Sequence, residues 1–144
     1  MICPACKKDM IVVEHSNVEL DYCLNCHGVW FDSDELELLL KCLKLDTPDL
    51  MLSHILGLEE AATGEKKIRC PICRRKMKKT TIGDHPEILI DACTRKDGLW
   101  FDGGEIVELV KKLAKKKSLG QEAEHKVLSF LGDAFKARAS NKTE

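Results

Sequence analysis

Aromatic side chains are scarce in this sequence: 144 residues hold two tryptophans, one tyrosine and four phenylalanines. That excludes a core built mainly on large rings, and a surface studded with rings on which nucleic-acid bases stack in series. No apolar run approaches the ~20 residues that cross a bilayer, so no membrane span is expected. The start, Met1-Ile2-Cys3, has no basic segment leading into an apolar one. We therefore expect no signal peptide and a cytoplasmic protein. Phosphate-binding Gly-rich loops, G-x-G-x-x-G, H-E-x-x-H and the nucleophile elbow are all missing. A non-catalytic protein is the expectation.

Net charge is nearly absent as well, at −1, but the balance hides an asymmetry. Residues 1–64 carry 4 basic against 12 acidic side chains, and residues 65–144 carry 19 against 12. Opposed halves of this kind attract each other, within one molecule or between copies, or else form two solvated faces.

Cysteine is what the sequence has in excess, eight residues without secretory features. In a reducing compartment, C-x2-C pairs serve metals more often than disulfides. Most of them fall inside an internal repeat. Cys3, Pro4, Cys6 and Met10 match Cys70, Pro71, Cys73 and Met77; Asp21 and Cys23 match Asp91 and Cys93. Gly28, Trp30, Phe31, Asp32 and Glu35 match Gly98, Trp100, Phe101, Asp102 and Glu105.

Each copy has the same local logic. Ile11 to Glu14 and Val18 to Tyr22 alternate as half-buried strands across a Ser16-Asn17 turn, and Ile88 and Ile90 follow a turn holding Gly83, Asp84 and Pro86. Trp and Phe of each W-F-D cover the neighbouring metal turn. Leu36, Leu39, Leu40 and Leu43 then fall at helical spacing, as do Ile106, Leu109, Val110 and Leu113. Asp32 or Ser33, and Asp102, are the expected N-caps, with Glu35 and Glu105 closing capping boxes. Cys42, among leucines, is expected to be a buried small hydrophobe. Thr47-Pro48-Asp49 starts a further helix that ends near Gly57.

The expected fold is α+β: two tandem zinc-ribbon modules, each a β-hairpin with metal turns followed by a helix. The first module with its following helices covers 1–62, the linker 63–67 and the second module 68–118. A C-terminal amphipathic helix (119–139) carries Val127, Leu128, Leu131, Ala134 and Phe135 on one stripe, before a disordered tail (140–144).

The spacing Cys3-x2-Cys6, then Cys23-x2-Cys26, fits the pattern of a four-cysteine zinc site. Two turns of two thiolates complete a tetrahedron, which Zn²⁺ accepts without d-electron preference; iron in a tetrahedron of sulfurs is the rival. Such a site leaves no coordination position for substrate, so its role is structural. In the second copy Cys70, Cys73 and Cys93 are present, but Lys96 stands where Cys26 stands. Asp97 is the nearest fourth ligand and His85 the other candidate; an empty site or a bound water are the remaining alternatives.

These residues resemble the transcription factor IIB-type zinc-finger family, whose pattern is CPxC, a hairpin, then DxCxxCGGxWxDxxEL. The chain carries CPAC and LDYCLNCHGVWFDSDEL, with His27 for a glycine, then CPIC and IDACTRKDGLWFDGGEI, which departs at Lys96 and Asp97. The resemblance leaves out the region around Pro48 to Ala62 and the C-terminal helix. It implies a zinc set of Cys3, Cys6, Cys23 and Cys26, three members of a second in Cys70, Cys73 and Cys93, and a connection with transcription.

The leading expectation is a protein-interaction adaptor that binds a protein partner or another copy of itself. The second is nucleic-acid binding through Lys66, Lys67, Arg69, Arg74, Arg75, Lys76, Lys78 and Lys79, aided by Lys111, Lys112, Lys115, Lys116 and Lys117. The third is a metal-dependent hydrolase at an incomplete second site, which lacks an evident base and substrate pocket.

Overall fold

The computed structural model describes residues 1–15, 17–45, 48–83 and 87–116. His85, the expected C-terminal helix (119–139) and the tail (140–144) lie outside the described residues.

The chain runs β1 (Met10–His15), β2 (Val18–Cys23), β3 (Val29–Asp32), α1 (Glu35–Cys42), a 3-10 turn (Pro48–Leu50) and α2 (Leu52–Leu56). It continues β4 (Lys78–Ile82), β5 (Ile88–Ala92), β6 (Gly98–Phe101) and α3 (Glu105–Lys116). The β1–β2 hairpin forms at the register set by its alternation, His15 opposite Val18, with Asn17 at φ 66°, a left-handed conformation that asparagine tolerates. The β4–β5 hairpin pairs Ile82 with Ile88 across a longer connection.

The W-F segments do more than cover metal turns. Each is a strand, and β3 pairs antiparallel with β6, placing Trp30 opposite Trp100, Val29 opposite Phe101 and Phe31 opposite Leu99. All six strands therefore make one antiparallel sheet in the order β1-β2-β3-β6-β5-β4.

Side chains alternate across that sheet and give it two different faces. One holds Leu20, Tyr22, Val29, Phe31, Ile90, Leu99 and Phe101. Helix residues Leu36, Leu39, Leu40, Ile106, Leu109 and Val110 cover it in a single core. Phe31 and Phe101 meet there edge to face, with centroids 5.4 Å apart. The other face carries Met10, Cys23, Trp30, Met77, Cys93 and Trp100, which cluster with Cys3 and Cys70.

The helix starts correct two expectations. α1 begins after Asp34 with no side-chain cap, because Asp32 accepts the Trp30 indole N–H at 2.9 Å and Glu35 accepts the Glu19 amide at 3.0 Å. No capping box forms there. In the second half, Asp102 likewise accepts the Trp100 indole N–H at 3.0 Å, while Glu105 does reach back to the Asp102 amide at 3.3 Å. A buried indole N–H needs a protein acceptor, whereas water can serve an exposed helix end, so the indole takes the aspartate. Cys42 is exposed rather than buried. It sits off the stripe of Leu36, Leu39, Leu40 and Leu43, all four of which are buried.

Beyond α1, the helix expected after Pro48 divides into the 3-10 turn and α2, with Gly57 as its C-cap. The connection to the second half lies along β4. The Ala61 amide donates to the Lys79 carbonyl at 2.8 Å, the Thr80 hydroxyl to the Glu59 carbonyl at 2.9 Å, and the Lys78 ammonium to the carbonyls of Leu56 and Leu58.

Candidate metal centre

Each C-x2-C turn is shaped by its backbone. The amides of Lys7, His27 and Arg74 close onto the carbonyls of Cys3, Cys23 and Cys70, four residues back, at 3.0, 2.8 and 2.9 Å. Closing such a turn puts those three residues in the left-handed region, at φ 68°, 65° and 65°. The cysteine pair then projects to one side. Backbone N–H groups of Cys6 and Cys26 point at the sulfurs of Cys3 and Cys23, each at 3.4 Å, and favour thiolates there.

In the first centre the sulfurs of Cys3, Cys6, Cys23 and Cys26 all lie within 4.8 Å of one another. Cys3 to Cys26 is 3.6 Å and Cys6 to Cys23 is 3.4 Å. A tetrahedron with Zn–S near 2.3 Å has S···S edges of about 3.8 Å, whereas a disulfide needs about 2.05 Å. The set has the dimensions of a metal tetrahedron.

The second centre brings Cys70, Cys73, Cys93 and Asp97 together within the same 4.8 Å. Cys73 and Cys93 are 3.7 Å apart, and Asp97 Oδ2 lies 3.5 Å from the Cys70 sulfur and 3.4 Å from the Cys93 sulfur. Its second turn explains how. Here Lys96, not the residue after it, takes the left-handed conformation (φ 67°), and its amide closes onto the Cys93 carbonyl only three residues back, at 3.0 Å. The turn is one residue tighter, so Lys96 points outward and Asp97 swings in. The frame is then recovered: Cys93 N–H meets the Gly98 carbonyl at 3.0 Å, as Cys23 N–H meets that of Gly28 at 3.0 Å. Thiolate sulfur and carboxylate oxygen are both zinc donors. The two clusters therefore fit Zn²⁺, the first with four thiolates and the second with three thiolates and one carboxylate.

Burial raises the cost of holding four of these thiolates without a cation. It pushes the Cys3, Cys26 and Cys93 thiols up, and the Cys70 thiol to about 12, so ligation displaces protons.

Between the centres lies a row running across all six strands: Val12, Asp21, Trp30, Trp100, Asp91 and Lys79. Both tryptophans are fully buried. A Cβ on Gly28 would lie 2.2 Å from the Trp100 ring, and one on Gly98 2.7 Å from the Trp30 ring and 2.1 Å from the Phe31 carbonyl. Each indole is thus seated against a glycine of the opposite half. Gly103 adds a third such contact, its Cβ position being 2.6 Å from the Cys26 carbonyl. Sequence reasoning missed this; the paired Gly-x-Trp spacing was its signal.

The ends of the row differ. Asp91 is buried with Lys79 at 2.8 Å; burial pushes its carboxyl up and the ammonium draws it back. Asp21 faces exposed Val12 instead, and burial, with the Asp32 carboxylate, pushes it up to about 6. Tyr22 and His27 meet on the other side of β2, hydroxyl to Nδ1, at 2.8 Å.

The basic cluster divides. Lys78 and Lys79 are turned inward, while Lys66, Lys67, Arg69, Arg74, Arg75 and Lys76 are exposed. Arg95 and Lys96, exposed on the second centre's tight turn, join them. Lys67 pairs with Glu60.

A four-thiol tetrahedron closed by two C-x2-C turns around a hairpin defines a zinc-ribbon site. Residues 2–41 match the transcription factor zinc-finger family, a span that takes in the whole first centre and α1 as far as Lys41. No curated protein and no solved structure matches the chain. Among the described residues no helix is long and apolar enough to cross a membrane.

Proposed function

We propose that the chain is a zinc-built, non-catalytic adaptor in which two ribbon modules, fused through one sheet, present surfaces to a protein partner, in the setting of transcription. The observation that carries this reading is the closure of both donor sets. Four donors surround each centre, so neither has a protein-vacant position for an activated water. That weighs equally against a hydrolase at the second centre. Zinc here supplies folding energy, and the exposed charges, acidic in the first half and basic in the second, supply recognition. The cytoplasm suits such thiolate sites.

Nucleic-acid binding is the second reading, favoured by the exposed Lys66, Lys67, Arg69, Arg74, Arg75, Lys76, Arg95 and Lys96 around the second metal centre. One experiment separates the two. The zinc-loaded protein and its Arg74→Glu/Arg75→Glu/Lys76→Glu variant are titrated with fluorescent duplex DNA and RNA across a salt series. An adaptor shows weak binding at every salt concentration. Affinity that falls steeply with salt and vanishes in the variant means phosphate contacts, and the adaptor reading gives way.

A further inference from the structure

The two centres differ in donor chemistry and in the charge around them, although not in burial. Each has two buried and two half-buried donors. The first is all sulfur, with Lys7 and Lys8 as its near exposed cations and Asp9 beside them. The second replaces one sulfur by the half-buried carboxylate of Asp97, flanked on its own turn by exposed Arg95 and Lys96 and on the facing turn by exposed Arg74 and Arg75.

A carboxylate is a harder, less covalent donor toward zinc than a thiolate, and one oxygen can leave as the other or an outside ligand arrives. The cations around it draw in anionic ligands and hold them close to the donor that is easiest to displace. Resting on the zinc-binding reading above, we propose that Asp97 makes the second centre an exchangeable metal site, which takes and gives up zinc through small anionic chelating ligands while the first centre keeps its metal. Asp97 yields its place as an anion to the incoming donor. No electrons move, and the three cysteines hold the remainder of the site until the ligand departs with the metal. Lys96, standing at the position of the missing fourth cysteine, serves this twice: it leaves the carboxylate as donor and adds a cation at the point of entry.

The full chain loaded with two equivalents of zinc is mixed with excess EDTA, and metal loss is followed by elemental analysis of rapidly desalted samples. A cobalt-loaded sample reports thiolate-to-metal absorbance in parallel. The expected result is two phases of one metal each, the faster by about tenfold or more. The fast phase should remove less thiolate absorbance per metal than the slow one. Asp97→Cys should merge the fast phase into the slow, and the reciprocal Cys26→Asp, read independently, should make both centres fast. Two metals leaving the wild type at one rate overturn the proposal while leaving zinc binding at both centres intact. A fast phase that persists in Asp97→Cys, or a Cys26→Asp protein that keeps a slow one, overturns it equally. A chain that loads only one metal refutes the two-centre reading itself.

Discussion

At the scale of single residues, the packing between the halves depends on the absence of side chains at two places. Gly28 faces Trp100 and Gly98 faces Trp30, and neither ring has room to move, both being fully buried. Gly28→Ala should therefore cost about 3 kcal/mol, the upper end of the usual penalty for forcing a methyl into a filled core, read by urea unfolding of the zinc-loaded protein. A loss below about 0.5 kcal/mol would mean the indole is not held there. The ends of the central row make a second test. Lys79 and Asp91 are a buried pair at 2.8 Å, and removing the cation alone strands a carboxylate. Lys79→Met should lose about 3 kcal/mol, and adding Asp91→Asn should recover much of that, because the neutral amide no longer needs the ammonium. Equal losses in the single and double variants would assign the effect to packing of the lysine stem.

At the scale of the element, α3 starts under electrostatic strain. Burial, then the neighbouring Asp102 carboxylate, push Glu105 from its ordinary 4.5 up to about 7. Below about pH 4.5 this group is protonated in folded and unfolded chains alike and contributes nothing. As pH rises toward about 7 the unfolded chain has released a proton that the folded chain keeps, so stability falls; above that the full cost remains. Glu105→Gln keeps an acceptor for the Asp102 amide and removes the charge. It should stabilise the protein at pH 8 by on the order of 1 kcal/mol, solvent screening of a half-exposed group included, and have little effect at pH 4.5. Thermal melts at the two pH values check this, and an equal gain at both would remove the electrostatic cause. The elements themselves were unequally legible. Alternation gave the hairpin of Val18 to Tyr22, and the leucine spacing gave α1 and α3, since both are local periodicities. The four cysteines of the first centre were legible from spacing alone, whereas the tighter turn at Lys96, which brings Asp97 to the three sulfurs of the second, was not. β3 and β6 were not legible as strands. Each is four residues long and buried almost throughout, so it shows no alternation, and its decisive partner lies seventy positions away in the numbering. The aspartate caps failed for a similar reason, although Glu105 does close onto the Asp102 amide: the competing donor for Asp32 and Asp102 is a tryptophan side chain, which capping rules do not consider.

At the scale of the whole molecule, the sheet makes two metal centres into one folding unit. Structural zinc supplies an apparent ~10–16 kcal/mol, comparable with or larger than the ~5–15 kcal/mol that separates an ordinary domain from its unfolded chain. Losing the first centre is therefore enough to open its half, and the shared cluster of Cys3, Cys23, Trp30, Cys70, Cys93 and Trp100 carries that opening across. The exchangeable second centre holds its metal more weakly, so it contributes less of this folding energy, and emptying it leaves the first centre closed. The crossed placement of the indoles turns the coupling into something measurable. Trp100 belongs to the second half but rests on Gly28, two residues past the last cysteine of the first centre. In a Trp30→Phe protein, Trp100 is the only tryptophan and is buried. Adding Cys6→Ser weakens only the first centre, yet it should shift the Trp100 emission to longer wavelength and lower the single melting temperature of both halves. In independent modules, Trp100 emission would stay where it was and the melt would divide into two steps; that outcome would mean the β3–β6 pairing does not transmit the loss of metal.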